Sequence, residues 1–582
     1  MTRPSTWVAV LAALVLLAGA SQLTRAGYSV DEEFTIFAVR GIQAHGLPLL
    51  PSSLLYDRGL AYSYASWMAG AVSGSELLAF RALSLLSSLA SLFLTFTIVR
   101  RLATERAALL ASVLVSVSMP FWATATTGRF YAPFLACYLA MLWVLCPPSL
   151  ARVSPANSLG ALALLAALSR LTHELAFTLA AIPLVCAVFD TRARRRHWLV
   201  ATAAIVVGLV AAQLGMFALH ALEPSSGETM VRRFFLWQVL NLFEVPPSRQ
   251  YGILLTVMVI AWLVAPARAW LFSVIGLSAT AMVVAFSLAR ASNVGPVNVE
   301  VVAMVLSDGA AYPLDMFRHL ATLNPLATAL ALALLAARLA GAGGEWKLHE
   351  RAAHLLWLFW VLWFGAIDSG ITTNYLLLPV AFMLIAIAID VDAIVIHTLP
   401  PLSAASRRFA IAVVALLAVG LGFDQWRGTG PVIERLEFSR PTIRIDGIDE
   451  IRAGFQPADR VACTDELACL LLVGRIDQWL ALDDFVRERF LVKRRDGTQA
   501  GVYTNAPAVL RPGDLFAPNP DGTLPDRVII VDVFKDFPIG NSRSWLPRAI
   551  ELDGLQVTPL LETPQGRVLV ISPQERNASR RP

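Results

Sequence analysis

Over its first 426 positions the chain alternates between apolar runs and short polar joints. The runs fall at 7–24, 78–99, 107–123, 130–147, 157–169, 173–190, 198–219, 251–266, 269–290, 322–341, 353–367, 370–388 and 407–423. A helix needs about 20 mostly apolar residues to cross the hydrocarbon of a bilayer, so the pattern predicts about thirteen spans. The fifth run is short and suits a tilted or bundle-buried segment. From about 427 the character changes. Strand-like runs at Arg527-Val528-Ile529-Ile530-Val531 and Arg567-Val568-Leu569-Val570-Ile571 follow a helical stretch at 465–472. The fold class predicted is mainly α: a polytopic membrane bundle over 1–426, with a smaller soluble α/β domain over 427–582. That tail carries neither a glycine-rich phosphate loop nor a nucleophile motif, and reads as an accessory domain.

Composition agrees with the pattern. Of 582 residues 57% are hydrophobic and only 15% charged, against roughly a quarter charged in soluble domains. A soluble enzyme, a disulfide scaffold and a disordered chain are excluded. The formal charge of +5 (47 − 42) is almost all arginine, with Lys347, Lys493 and Lys535 the lysines. This modest excess predicts no nucleic-acid partner. Cys137, Cys146 and Cys186 sit in apolar runs as small hydrophobes. Cys463 and Cys469 lie in the tail, where they pair only if it faces an oxidising compartment.

The basic residues orient the bundle. With the N-terminus inside, Arg100, Arg101 and Arg106 fall on the inner side, as do Arg152, Arg192, Arg194, Arg195 and Arg196. Arg268, Lys347, Arg351, Arg407 and Arg408 follow. Cytoplasmic loops favour such residues. The segments 25–77, 220–250, 291–321 and the tail then face outward from a cytoplasmic (inner) membrane. Ala18-Gly19-Ala20 resembles a signal-peptidase site, but cleavage there leaves this topology unchanged.

The chemistry-bearing residues cluster on the outer side. Tyr28-Ser29-Val30-Asp31-Glu32-Glu33-Phe34 follows the first span, and 34–44 is amphipathic enough to lie along a membrane surface. Within the same loop come Tyr56-Asp57-Arg58, then Tyr62, Tyr64 and Trp67. Arg81 opens the second span, Thr127-Gly128-Arg129-Phe130-Tyr131 precedes the fourth, and Arg170 through His173-Glu174 ends the fifth. Each has a plain structural reading: acids favour a helix N-terminus, Arg81 can snorkel, and His173–Glu174 can be a satisfied pair. Charged groups at membrane depth mostly face a bundle interior or cavity. Together they point to a polar chamber open to the outside.

These residues resemble the GT-C membrane glycosyltransferases, especially the bacterial transferases of aminoarabinose to lipid A and the protein O-mannosyltransferase relatives. The resemblance rests on Asp31-Glu32, Tyr56-Asp57-Arg58, Arg81, Arg129-x-Tyr131, Tyr375–Pro379 and Gly474-Arg475 with Trp479, in that order and on one side. The chain departs from it in two places. Thr127 stands where relatives often have Glu, and Arg58-Gly59-Leu60 stands where the aminoarabinose transferases have Lys and a Pro pair.

The resemblance implies an inverting hexosyl- or pentosyltransferase that moves a sugar from a polyprenyl-phosphate donor to a lipid, glycan or protein acceptor outside the membrane. Asp31 is then the base for the acceptor hydroxyl, with Glu32 orienting the acceptor. Arg58, Arg81 and Arg129 bind the leaving phosphate, since guanidinium forks match it and stay charged. Tyr56, Tyr312 and Tyr375 add hydrogen bonds, with Asp57, Tyr131, His173, Glu174, Arg318 and His319 in support. Asp31, Glu32 and Asp57 either ligate a divalent cation such as Mg²⁺ or Mn²⁺ or leave the site metal-free. Membrane lipids surround the chain, and it is expected to act as a monomer. The alternative is a transporter or flippase of lipid-linked or anionic substrates. Those folds favour inverted repeats and midplane sites, whereas here the ionisable residues sit at the outer boundary.

Overall fold

A computed structural model describes most of residues 4–222, 320–398 (without 322–323) and 443–573, together with residue 420. Within these ranges it leaves out 25–26, 30, 147–154, 190–191, 343, 345, 368–375, 483–486, 488–489, 495–496, 519–521, 526, 534–554 and 564–565. Most of the described residues before position 399 are helical. The helices are α1 Pro4–Leu23, α2 Glu32–His45, α3 Leu60–Ser73, α4 Glu76–Leu102, α5 Glu105–Ser116, α6 Met119–Ala125, α7 Tyr131–Leu145 and α8 Pro155–Thr172. A 3₁₀ turn at Glu174–Ala180 leads to α9 Ala181–Phe189 and α10 Arg192–His220. Then come α11 Pro325–Leu339, α12 Leu348–Ile367 and α13 Leu377–Thr398.

Among the described residues four helices are long and apolar enough to cross a membrane, at Thr6–Leu23, Glu76–Leu102, Arg195–His220 and Leu377–Val395. The α5–α6 pair makes a fifth if counted as one span, bent by 64°. The run 107–123 reads as one straight span in sequence. The bend falls at Ser118-Met119-Pro120, where proline supplies no N–H to the preceding turn. The run 173–190 is likewise not one straight helix, because it begins as 3₁₀. The runs 251–266, 269–290 and 407–423 lie outside the described residues.

The segment between α1 and α4 is folded. The side of α2 bearing Ile36 and Val39 joins the core of the membrane bundle. Its Phe37 and Ala38 pack instead with Leu467 and Val502 of the tail. The amphipathic stretch 34–44 is therefore sandwiched between bundle and tail, and does not lie against lipid. Gly41 is required there, since a Cβ would come within 2.2 Å of the Leu49 carbonyl oxygen.

In the tail, a short helix α14 (Ile448–Ala453) precedes β1 Arg460–Cys463, α15 Glu466–Val473, β2 Gln478–Leu480, β3 Leu491–Lys493, β4 Gln499–Gly501, β5 Ala508–Val509, β6 Val528–Val533, β7 Leu555–Thr563 and β8 Gly566–Pro573. Six strands form a sheet in the order β5-β2-β1-β6-β8-β7. β1 is parallel to β2 and β6, and β2 to β5. β8 pairs antiparallel with both β6 and β7. Asp465 caps α15 by accepting the Ala468 N–H at 2.8 Å, and Gly474 ends it at φ +83°, a conformation glycine adopts without strain. The Gly474-Arg475-x-Asp477-x-Trp479 segment is a brace. Asp477 accepts the Val461 N–H at 2.8 Å and an Arg475 N–H at 2.8 Å. A disulfide joins Cys463 to Cys469.

Candidate active site

Asp31 sits at the head of α2 with φ +72°, in the left-handed region. That conformation costs a non-glycine residue, asparagine and aspartate least, and such residues gather at functional sites. Its carboxylate is 37% exposed and lies 3.7 Å from Arg129. Arg129 is buried and donates through its other terminal nitrogen to the Tyr56 hydroxyl at 2.8 Å. Its guanidinium also lies over the rings of Phe130 (4.6 Å) and Phe34 (6.0 Å). Phe34 in turn stacks on Tyr56 with centroids 5.5 Å apart. Burial raises the Tyr56 phenol above its ordinary pKa despite Arg129 and Arg58 nearby. It stays neutral and keeps its proton to donate.

Glu32, next in sequence, has a different environment. It is 0% exposed and accepts two hydrogen bonds from Arg81, at 3.1 and 2.9 Å. It also takes the Ser29 N–H at 2.7 Å and the Gly128 N–H at 2.6 Å. Arg81 reaches the Gly27 carbonyl at 2.8 Å as well. The two residues form a buried brace tying the loop after α1 to α4 and to the turn before α7. Glu32 and Arg81, expected from sequence to orient the acceptor and to bind phosphate, are here engaged with each other and with backbone groups.

Near Arg129 a small hollow is lined by Asp57, Arg58, Phe130, Arg170, His173 and Glu174, among others. Arg58, 24% exposed, lies 3.9 Å from Glu174. Asp57 meets His220 at the end of α10, Nε2 to Oδ2 3.2 Å. Arg170 donates to Gln213 at 3.0 Å. His173 Nδ1 accepts the Leu175 N–H at 3.1 Å, so the ring proton is on Nε2. That buried atom has no hydrogen-bond partner among the described residues. His173 packs against Phe134 (4.9 Å) and Tyr131 (5.7 Å), which places Tyr131 as a wall. Gly59 at φ +72° opens α3, and a Cβ there would lie 2.4 Å from the Phe130 ring. Glycine after Arg58, one of the chain's departures from the family pattern, is thus demanded locally. Thr127, the other, donates to the Ala123 carbonyl at 2.6 Å.

The structure therefore brings together Asp31, Tyr56, Asp57, Arg58, Arg129, Tyr131, His173 and Glu174. Tyr312, Arg318, His319 and Tyr375 lie outside the described residues. Asp31, Glu32 and Asp57 each meet a different base, and no three His, Cys, Asp or Glu side chains converge as a metal set among the described residues. No chemical step is routed through a cation here. Two contributors were not singled out by sequence. Arg170 was visible only as part of an outer boundary. His220 is signalled by its place at the end of an apolar helix.

The family described as dolichyl-phosphate-mannose-protein mannosyltransferase matches residues 57–217. No curated protein matches the chain. Among solved structures, ArnT from Cupriavidus metallidurans bound to undecaprenyl phosphate aligns over 97% of this chain and 98% of its own, with 14% identity and a TM-score of 0.53. The archaeal oligosaccharyltransferase AglB from Archaeoglobus fulgidus, in complex with an inhibitory peptide and a dolichol-phosphate, aligns over 90% and 69%, with 12% identity and a TM-score of 0.46. The arabinofuranosyltransferase AftD from Mycobacteria aligns over 98% and 40%, with 15% identity and a TM-score of 0.45. Residues 57–217 thus carry the sequence pattern of the dolichyl-phosphate-mannose-protein mannosyltransferases, and the chain as a whole has the GT-C fold of membrane glycosyltransferases.

Proposed function

We propose that the chain transfers a sugar from a polyprenyl-phosphate donor to an acceptor hydroxyl on a lipid, glycan or protein, at the outer face of a cytoplasmic membrane. The observation that carries this reading is Asp31. It is a water-accessible carboxylate held in left-handed backbone beside a buried arginine and near a hollow lined by Arg58, Arg170, Asp57 and Glu174. The bond from the anomeric carbon to the phosphate oxygen breaks as the acceptor oxygen forms the new bond from the opposite side, inverting that carbon. The acceptor proton passes to Asp31. A positioned base contributes ~10²–10⁴-fold. Negative charge collects on the departing lipid phosphate. Arg58, Arg170 and the Nε2–H of His173 line the hollow that receives it, and fixed donors there stabilise developing charge without reorganising. Glu174 holds Arg58 until the donor arrives. Arg129, itself held by Tyr56, keeps Asp31 aimed.

Two further features support the orientation. The short basic loops share one side, and the tail holds a disulfide, a bond kept in oxidising compartments. ArnT's undecaprenyl phosphate suggests the same lipid class for the donor here.

The test uses the purified full chain in lipid nanodiscs, with transfer from polyprenyl-phosphate sugars and binding of undecaprenyl phosphate measured separately. Asp31→Asn lowers transfer about 10²-fold or more and leaves lipid binding intact. Arg58→Ala weakens lipid binding. Turnover unchanged in Asp31→Asn removes the base assignment.

A further inference from the structure

The tail reaches the site. Tyr503, on the turn after β4, packs edge-to-face with Phe34, ring centroids 4.9 Å apart and planes at 78°. Its backbone carbonyl accepts the Ser52 N–H at 3.0 Å, which stitches the turn to the loop that carries Tyr56. The turn itself is anchored from below. The buried Glu466 carboxylate of α15 accepts the Thr504 N–H at 2.8 Å and the Tyr503 N–H at 3.5 Å, and the Thr504 hydroxyl besides. Gly501 makes room for it, since a Cβ there would stand 2.3 Å from the Glu466 carboxyl carbon. A continuous chain of contacts therefore runs from Glu466 through Tyr503, Phe34, Tyr56 and Arg129 to Asp31.

We propose that Tyr503 is a positioning residue of the transfer site, so that the tail completes the catalytic chamber instead of hanging beside it. Phe34 lies one helical turn beyond Asp31 on α2. Its ring is held on one face by Tyr56 and, edge-to-face, by Tyr503. With Tyr503 removed, Phe34 is free to change rotamer, Tyr56 loses its stacking partner, and the Arg129–Asp31 pair is no longer fixed. Small misplacements of reacting groups cost up to about 10²-fold in rate. This role rests on the sugar-transfer reading for its kinetic consequence, but not for its structural one.

The experiment therefore has two readouts on the full chain in nanodiscs. In Tyr503→Ala, kcat for sugar transfer falls about 10-fold or more while the Kd for undecaprenyl phosphate stays within about 2-fold of wild type, as expected of a group acting through others. Amide hydrogen exchange over 31–37 and 52–58 accelerates, while that of β1 and β6 does not. Tyr503→Phe, which keeps the ring, restores both. Should Tyr503→Ala not insert stably, Tyr503→Leu preserves bulk without the aromatic edge and is read the same way. Unchanged exchange over 31–37, or a Tyr503→Phe as slow as Tyr503→Ala, overturns the proposal. If wild type transfers no sugar from any polyprenyl phosphate, the function assigned above fails, and the exchange measurement still decides the role of Tyr503.

Discussion

Removing Arg81 isolates the Glu32 carboxylate. Glu32 is 0% exposed, and Arg81 supplies two of its four hydrogen bonds, at 3.1 and 2.9 Å. The others come from the Ser29 and Gly128 amides, which remain in Arg81→Ala. A buried charge that loses its counter-ion typically costs 3–5 kcal/mol, and the two amides offset part of that, leaving ~3 kcal/mol. Glu32→Gln keeps an oxygen for the amides but leaves Arg81 buried without its counter-charge, for a similar loss. The double variant Glu32→Gln/Arg81→Met removes both charges and retains an acceptor, so it recovers ~1–3 kcal/mol of the summed single losses. The assay is reversible unfolding of the purified chain in mixed detergent micelles, with undecaprenyl phosphate binding by the surviving folded fraction as control. Arg81→Ala losing under ~1 kcal/mol, or strictly additive losses in the double variant, would refute the brace. So would an Arg81→Ala protein of full stability that binds no lipid, since that outcome returns Arg81 to the phosphate.

Gly59→Ala forces a Cβ into left-handed backbone at φ +72° and within 2.4 Å of the Phe130 ring. It is expected to destabilise by at least ~1–2 kcal/mol and to lower donor affinity, read from unfolding curves and lipid binding on one preparation. Burial raises the Glu466 carboxyl to about 7, against hydrogen bonds from Thr504 that lower it. Between its unfolded value of ~4.3 and about 7, the folded tail binds the extra proton. Stability from this group is full below that window and declines as pH rises through it. Glu466→Gln flattens the slope of unfolding free energy across pH 4.5–7, and an unaltered slope would contradict the assignment.

Much of the architecture was written locally. Apolar runs of membrane length, the sidedness of arginine, the β6 and β8 valine-isoleucine runs and the Asp465 cap can each be read from neighbouring positions, because one helix or strand obeys its own period. Asp31, Arg58 and Arg129 were legible as a set since charged side chains at a membrane boundary need a shared reason to be there. The division of labour between Asp31 and Glu32 was not legible. The adjacent acids differ only in that one faces water and the other is enclosed by Arg81 and two amides from 27–29 and 128. The same holds for 34–44, whose amphipathic pattern suits lipid and a protein layer equally well. Nothing around Tyr503 marks it, because its meaning comes from a contact with Phe34 across more than 460 positions of chain. Sequence alone determined that this is a membrane bundle with a folded tail, since burial period is a local property. Which carboxylate meets solvent, and that the tail closes the chamber, were decided by tertiary packing alone, because partners distant in sequence set the environment of each ionisable group.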